Sequence, residues 1–233
     1  MINLTSQISV ILPTFNEQDN IAEAIERISK VLGKALLEII IVDDNSEDNT
    51  LKVIEGIKKN RNDIVLIHRK KIRGLSSAIA EGVDRAKGNI ISWLDCDLGI
   101  PPEELKNLLK YIDNYDIVIG SRFINKGRDT RKIWITICSY LVNFMAHLIL
   151  SKKVTDYTSG FICLKRKVLN KISINPNGFG EYFIELMYDS INCDFKIKEV
   201  GYVYNDRKAG NSKSTSSLKT FFILGLSYVK KIF

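Results

Sequence analysis

Through the first half of the chain, five short apolar runs alternate with stretches of helical periodicity, and this alternation limits the fold more than any other feature. The runs cover residues 8–12, 38–42, 64–67, 90–94 and 117–119. Residues 20–32 carry Ile21, Ala24, Ile25 and Ile28 at helical spacing, and residues 51–57, 75–86 and 103–111 also read as helices. Strands separated by helices in this way form βαβ units with right-handed crossovers. The expected fold class is therefore α/β, a mainly parallel sheet flanked by helices. The runs are continuous rather than alternating, as in strands buried on both faces.

Ligands of open α/β sheets bind just beyond the carboxyl ends of the strands. Three of those ends carry acids or chain breakers: Pro13-Thr14-Phe15-Asn16-Glu17, Asp43-Asp44, and Asp95-Cys96-Asp97. The paired carboxylates Asp95 and Asp97 repel each other unless something positive lies between them. A hard divalent cation, Mg²⁺ or Mn²⁺, satisfies both and completes its shell with substrate phosphates and water. The same residues also read as a solvated turn capping the helix that Pro101 and Pro102 begin. Three such strand ends along one sheet edge favour a nucleotide pocket over independent turns. The chain contains neither GxGxxG nor GxxxxGK[ST], so a nucleotide would be held through carboxylates and metal. Asp44 is placed to accept hydrogen bonds from a base or ribose. Arg73 and Gly74 offer a cation and a free backbone at a helix N-terminus, although Arg73 alone also reads as an exposed loop residue.

At 233 residues with 45% hydrophobic content, the chain supports one continuous core. The four cysteines, Cys96, Cys138, Cys163 and Cys193, are scattered, which argues against a zinc site or disulfide framework and suits a reducing cytoplasm. A net charge of +7 calls for an anionic partner: nucleic acid, an acidic membrane surface or a phosphorylated substrate. Nucleic acid is set aside, because the basic residues adjoin apolar segments without interleaved aromatics on strands. The first strand starts at Ile8, so no leader segment is expected ahead of it.

After Ser121 the character changes. Arg122, Lys126, Arg128, Arg131 and Lys132 precede an apolar segment, residues 133–150. A bilayer span needs about 20 apolar residues, and this one is interrupted by Thr136, Ser139, Asn143 and His147. An amphipathic helix lying at a membrane interface is expected, with an ordinary core helix as the alternative. Residues 216–233, which end in Lys230 and Lys231, read as a second interface helix after a domain covering residues 1–215. The loop at residues 206–213 reads as a mobile lid or as a linker.

In order, the chain contains PTFNE, VDDNS, RGL, DCD, GSR, DYTSGF and DRKAGNSK. With this set, over about residues 7–215, it resembles family 2 glycosyltransferases of the GT-A fold, and among them the polyprenyl-phosphate hexose (dolichyl-phosphate mannose) synthases. The resemblance implies that Pro13, Phe15, Glu17, Asp44, Arg73 and Gly74 line the donor nucleotide. It gives the metal-bound diphosphate to Asp95 and Asp97, with Cys96 between them also on the donor. It gives the acceptor phosphate to Arg122, Arg131 and Ser139, with Arg207 and Lys213 closing over the site, and sets Asp156 near the sugar. The expected catalytic residues are Asp97, Asp156 and Arg122. Two departures stand out: Gly99 replaces a common family glutamine, and Arg131 falls about one helical turn before the family's acceptor arginine.

The implied reaction moves a hexose from a nucleoside diphosphate sugar, GDP-mannose ahead of UDP-glucose, to a polyprenyl phosphate. Inversion, a divalent cofactor, and a peripheral enzyme on the cytoplasmic face of a membrane go with it. A homodimer or a small membrane subunit is a further partner the resemblance allows. Two other readings remain open here: transfer to a hydroxyl of a glycan or glycolipid, and a noncatalytic nucleotide-sugar-binding scaffold.

Overall fold

The computed structural model describes residues 7–71, 74–205 and 218–233, with side chains after the last gap from residue 225 onward. Its strands are β1 (Ile8–Thr14), β2 (Leu36–Asp43), β3 (Ile64–His68), β4 (Ile90–Trp93), β5 (Ile117–Ser121), β6 (Arg128–Asp129), β7 (Ile162–Lys165), β8 (Ile197–Gly201) and β9 (Val203–Tyr204). Its helices are α1 (Ile21–Leu32), α2 (Thr50–Lys58), α3 (Leu75–Arg85), α4 (Leu105–Leu109), α5 (Ile133–Ile149), α6 (Arg166–Leu169), α7 (Tyr182–Asn192) and α8 (Leu218–Ile232).

Seven strands form one sheet in the order β3-β2-β1-β4-β7-β5-β8, and β6 pairs with β9 beside it. The pairings are parallel except at β7, which runs antiparallel between β4 and β5. Successive side chains of a strand point to opposite faces. Accordingly Ile39 and Ile41 of β2 join a core under α1, α2 and α4, while Ile40 and Val42 join a second core under α3 and α7. Burial on both faces explains why these runs are apolar without alternation.

Asp48 Oδ1 accepts the Thr50 N–H at 2.9 Å where α2 begins. The helix expected over 103–111 is shorter, a 3₁₀ turn at Pro102–Glu104 followed by α4.

The apolar segment after residue 132 is the helix α5, and it is oriented against the usual rule. Its fully buried residues are only Ile135, Asn143 and Ala146. Ile133, Ile137, Tyr140, Leu141, Phe144, Leu148 and Ile149 are exposed, Leu141 by 53%. The polar side chains face the protein instead: His147 Nδ1 donates to Val154 O at 2.8 Å, and Asn143 is 2% exposed. Thus α5 is amphipathic as expected, but its apolar stripe is turned outward. No helix among the described residues is long and apolar enough to cross a membrane. The C-terminal α8 packs on the body rather than standing apart. Ile232 is buried in the second core, and Lys231 Nζ pairs with Glu185 at 2.8 Å.

Candidate active site

The parallel register carries the motifs to one edge. Thr14 lies beside Asp43, Ile11 beside Trp93, and Trp93 beside Ile162 at the start of β7. The segments after β1, β2, β4 and β5, and the segment before β7, therefore converge. Phe15–Glu17, Asp44, Asp95–Asp97, Arg122 and Asp156 belong to them.

Where the sequence resemblance expects the donor, Pro13 and Phe15 are half-buried at the end of β1. Glu17 is 8% exposed, its N–H donated to Thr50 Oγ1 at 2.9 Å and its Oε2 accepting from Asn20 Nδ2 at 2.8 Å. Asp44 is fixed from both sides: Oδ2 accepts the Gly74 N–H at 2.8 Å, and Oδ1 pairs with Arg69 Nη2 at 2.6 Å. Gly74 has φ +91°, a conformation that L side chains avoid, and it presents this N–H as the first residue before α3. Arg69 is a site residue that sequence reasoning passed over. It follows β3 directly, so its place at a strand's carboxyl end was the available signal. Arg73 lies outside the described residues, as do Arg207, Lys213 and the rest of the loop expected as a lid.

At the acidic tip, Asp95 is half-buried and Asp97 is 2% exposed. Asp97 Oδ1 accepts the Gly99 N–H at 2.9 Å, which orients the carboxylate. A Cβ at position 99 would lie 3.1 Å from both Asp97 Oδ1 and Asn205 O and 3.2 Å from Tyr204 Cζ. The chain after β9 thus rests directly on this residue, and a side chain here would crowd it. Burial, then the charges of Asp97 and Asp95, push the Tyr204 phenol well above its ordinary value. Burial and Asp95 do the same to Tyr182, whose oxygen accepts the Trp93 Nε1–H at 2.9 Å. Both phenols stay protonated beside the acids. Cys96 is 3% exposed and packs in the first core with Leu94 and Leu98, so its backbone is what it offers a donor.

Among the described residues, no three His, Cys, Asp or Glu side chains gather into a metal cage. Two carboxylates one residue apart, that of Asp97 oriented by the Gly99 N–H, fit Mg²⁺ or Mn²⁺, which take few protein ligands and complete their shells with phosphate and water. Asp95 and Asp97 would hold such an ion.

The residues expected to meet the acceptor form a network of charges. Asp156 is fully buried and Arg122 is 6% exposed. Asp156 Oδ2 accepts from Arg122 N and Nε, each at 2.9 Å, and Oδ1 accepts from Arg122 Nη2 at 2.7 Å. Burial opposes the charge of Arg122, but Asp156 outweighs it, so the guanidinium pKa is raised. Arg131 Nε donates to Asp129 Oδ1 at 2.9 Å, and Arg122 Nη1 lies 3.6 Å from Asp129 Oδ2. Arg131 Nη2 also reaches Ser139 Oγ at 3.3 Å, and its guanidinium stacks 4.9 Å above the Tyr204 ring. Arg131 thus folds back along α5 to meet the predicted serine although it precedes the helix. Sequence reasoning missed Tyr204 and Thr158, whose Oγ1 accepts from Arg122 Nη2 at 2.8 Å.

The edge therefore combines the carboxylate pair Asp95 and Asp97, the clamped carboxylate Asp44 and the arginine pair Arg122 and Arg131. A model of the glycosyl transferase family 2 domain matches residues 9–173. The chain belongs to this family. It is 32% identical over 211 residues to a dolichol-phosphate mannosyltransferase of Pyrococcus furiosus, a match covering 89% of the chain but 59% of that protein. It is 30% identical over 221 residues to a polyprenol monophosphomannose synthase of Mycolicibacterium smegmatis, covering 91% and 83% of the two chains. A solved glucosyl-3-phosphoglycerate synthase of Mycobacterium tuberculosis, in complex with Mn²⁺, UDP-glucose and phosphoglyceric acid, superimposes with a TM-score of 0.73 at 19% identity. That match covers 98% of the chain and 79% of the solved one, and it shows that the chain has the GT-A fold.

Proposed function

We propose that this glycosyltransferase moves a hexose, with inversion at the anomeric carbon, from a nucleoside diphosphate sugar to a polyprenyl phosphate at a membrane surface. GDP-mannose is the favoured donor and UDP-glucose the next. Pro13, Phe15, Glu17, Asp44, Arg73 and Gly74 take the nucleoside side. Asp95 and Asp97 hold the diphosphate through Mg²⁺ or Mn²⁺, which when bound neutralises charge growing on the leaving group.

One observation carries the choice of acceptor: Asp156 accepts three hydrogen bonds from Arg122 and is its counter-ion. A hydroxyl acceptor needs a general base within about 3 Å of the attacking oxygen, and the carboxylate nearest that role is already a paired anion. A phosphate monoester has a second pKa of about 6 and attacks as a dianion without a base. It needs positioning instead, which Arg122, Arg131 and Ser139 are arranged to provide, with Arg207 and Lys213 as the closing cations.

The outward apolar stripe of α5, flanked by the exposed Lys126, Arg128 and Lys132, suits an enzyme whose acceptor tail stays in lipid. The names of the two curated relatives support the same acceptor class and favour mannose. The cytoplasmic face is the expected side, in keeping with the scattered thiols. Competition between an isoprenyl phosphate and the corresponding isoprenol in mixed vesicles, with labelled GDP-mannose and Mn²⁺, tests the proposal. Label on the phosphate lipid alone is expected; label on the alcohol or on an added oligosaccharide would return the hydroxyl-acceptor reading.

A further inference from the structure

Asn143 is one of only three fully buried residues on α5, and the only polar one. Its Nδ2 donates to Ser139 O at 2.8 Å and to Thr158 Oγ1 at 2.7 Å. These two bonds fix the orientation of the amide and leave its Oδ1 buried without a partner. A buried acceptor without a partner lowers stability, and an apolar residue of similar shape would avoid that cost. What the amide supplies is direction. Thr158 Oγ1 accepts both Asn143 Nδ2 and Arg122 Nη2, so its own proton is turned toward Asp156 Oδ1, 3.5 Å away. At its other contact the amide grips the main chain of Ser139, whose hydroxyl meets Arg131. A single side chain thus touches the supports of both arginines.

We infer that Asn143 is a positioning residue, tying the outward-facing helix α5 to Arg122 through Thr158 and setting the spacing of the two arginines that receive the acceptor phosphate. The inference rests on the phosphate-acceptor reading above. It extends that reading by making the seating of α5 a condition for a correctly aimed Arg122. Buried polar groups that fix the register of one element against another are the best attested use of such residues.

Asn143→Leu, Thr158→Val and the double variant test this. Asn143→Leu is expected to melt at the wild-type temperature or above and to bind GDP-mannose with Mn²⁺ within about twofold of wild type by calorimetry. The acceptor KM should rise roughly tenfold, the size of one lost hydrogen bond to a charged network. Thr158→Val should match it, and the double variant should be no worse than either single one, because both break the same link. In the unliganded protein, hydrogen exchange over residues 156–161 should quicken in Asn143→Leu. This readout decides the inference even if wild-type enzyme labels no isoprenyl phosphate, an outcome that would sink the acceptor reading separately. A melting temperature that falls in step with activity, additive effects of the two substitutions, or unchanged exchange over 156–161 would each overturn it.

Discussion

Helices α1 and α5 are both two-sided, and they are turned in opposite directions. Helix α1 buries Ile21, Ala24, Ile25, Ile28, Val31 and Leu32 against the sheet and leaves its charged residues in water. Helix α5 shows Ile137, Leu141 and Phe144 to the outside and directs Ser139, Asn143 and His147 toward the protein. Hydropathy holds α1 in place, whereas α5 is seated by a few apolar residues, among them Ile135 and Ala146, together with the polar contacts of Asn143 and His147. In the second case the apolar stripe does not stabilise the fold, and it is left for an apolar surround. The comparison also separates the two halves of the site. The acidic residues stand on strand ends fixed by a buried core, whereas Arg122 and Arg131 lean through Thr158 and Ser139 on a helix that buries few of its apolar residues.

The contrast is easiest to break by truncation. Ile28→Ala, at a position with no exposure, should cost about 2–5 kcal/mol in urea unfolding. Leu141→Ala on α5 should stay within about 0.5 kcal/mol. Equal costs would mean that α5 is an ordinary packed helix. Serine at Ile137, Leu141 and Phe144 together sharpens the point. At roughly 1 kcal/mol for each half-exposed side chain, vesicle partitioning should fall on the order of 100-fold. Thermal unfolding of the soluble protein should not change, and flotation with anionic vesicles measures the loss. A smaller effect is expected from the basic flank. Glutamine at Lys126, Arg128 or Lys132 should weaken vesicle binding by about 1 kcal/mol each, and the difference should disappear in about 1 M salt, where the Debye length is near 3 Å.

Much of the donor half was legible in the sequence, because continuous apolar runs determine strands, and the residue that ends a run must sit at the sheet edge. That reasoning placed Asp44, Asp95 and Asp97 together before any coordinates. It passed over Arg69, a lone arginine after a strand, since nothing local marks the partner Asp44, 25 positions earlier. The antiparallel β7 was not legible as such. Its direction follows from the route of the chain through α5, which periodicity does not report. Nor was the pairing of Arg122 with Asp156, 34 residues apart, which changes Asp156 from a free carboxylate near the sugar into the counter-ion of an arginine. For α5, the spacing of Thr136, Ser139, Asn143 and His147 revealed a polar stripe but not which side of the helix the protein occupies. Hydropathy alone turns such a stripe to water, and here the arginine cradle claims it.

The two tryptophans of the chain allow the orientation of α5 to be read directly. Trp93 is 1% exposed in the core, while Trp134 is 39% exposed at the outward start of α5. With anionic vesicles of brominated lipid, the account predicts strong quenching of wild-type emission and almost none for Trp134→Phe. Equal emission from the wild-type protein in brominated and ordinary vesicles, under conditions where the protein floats with both, would contradict it.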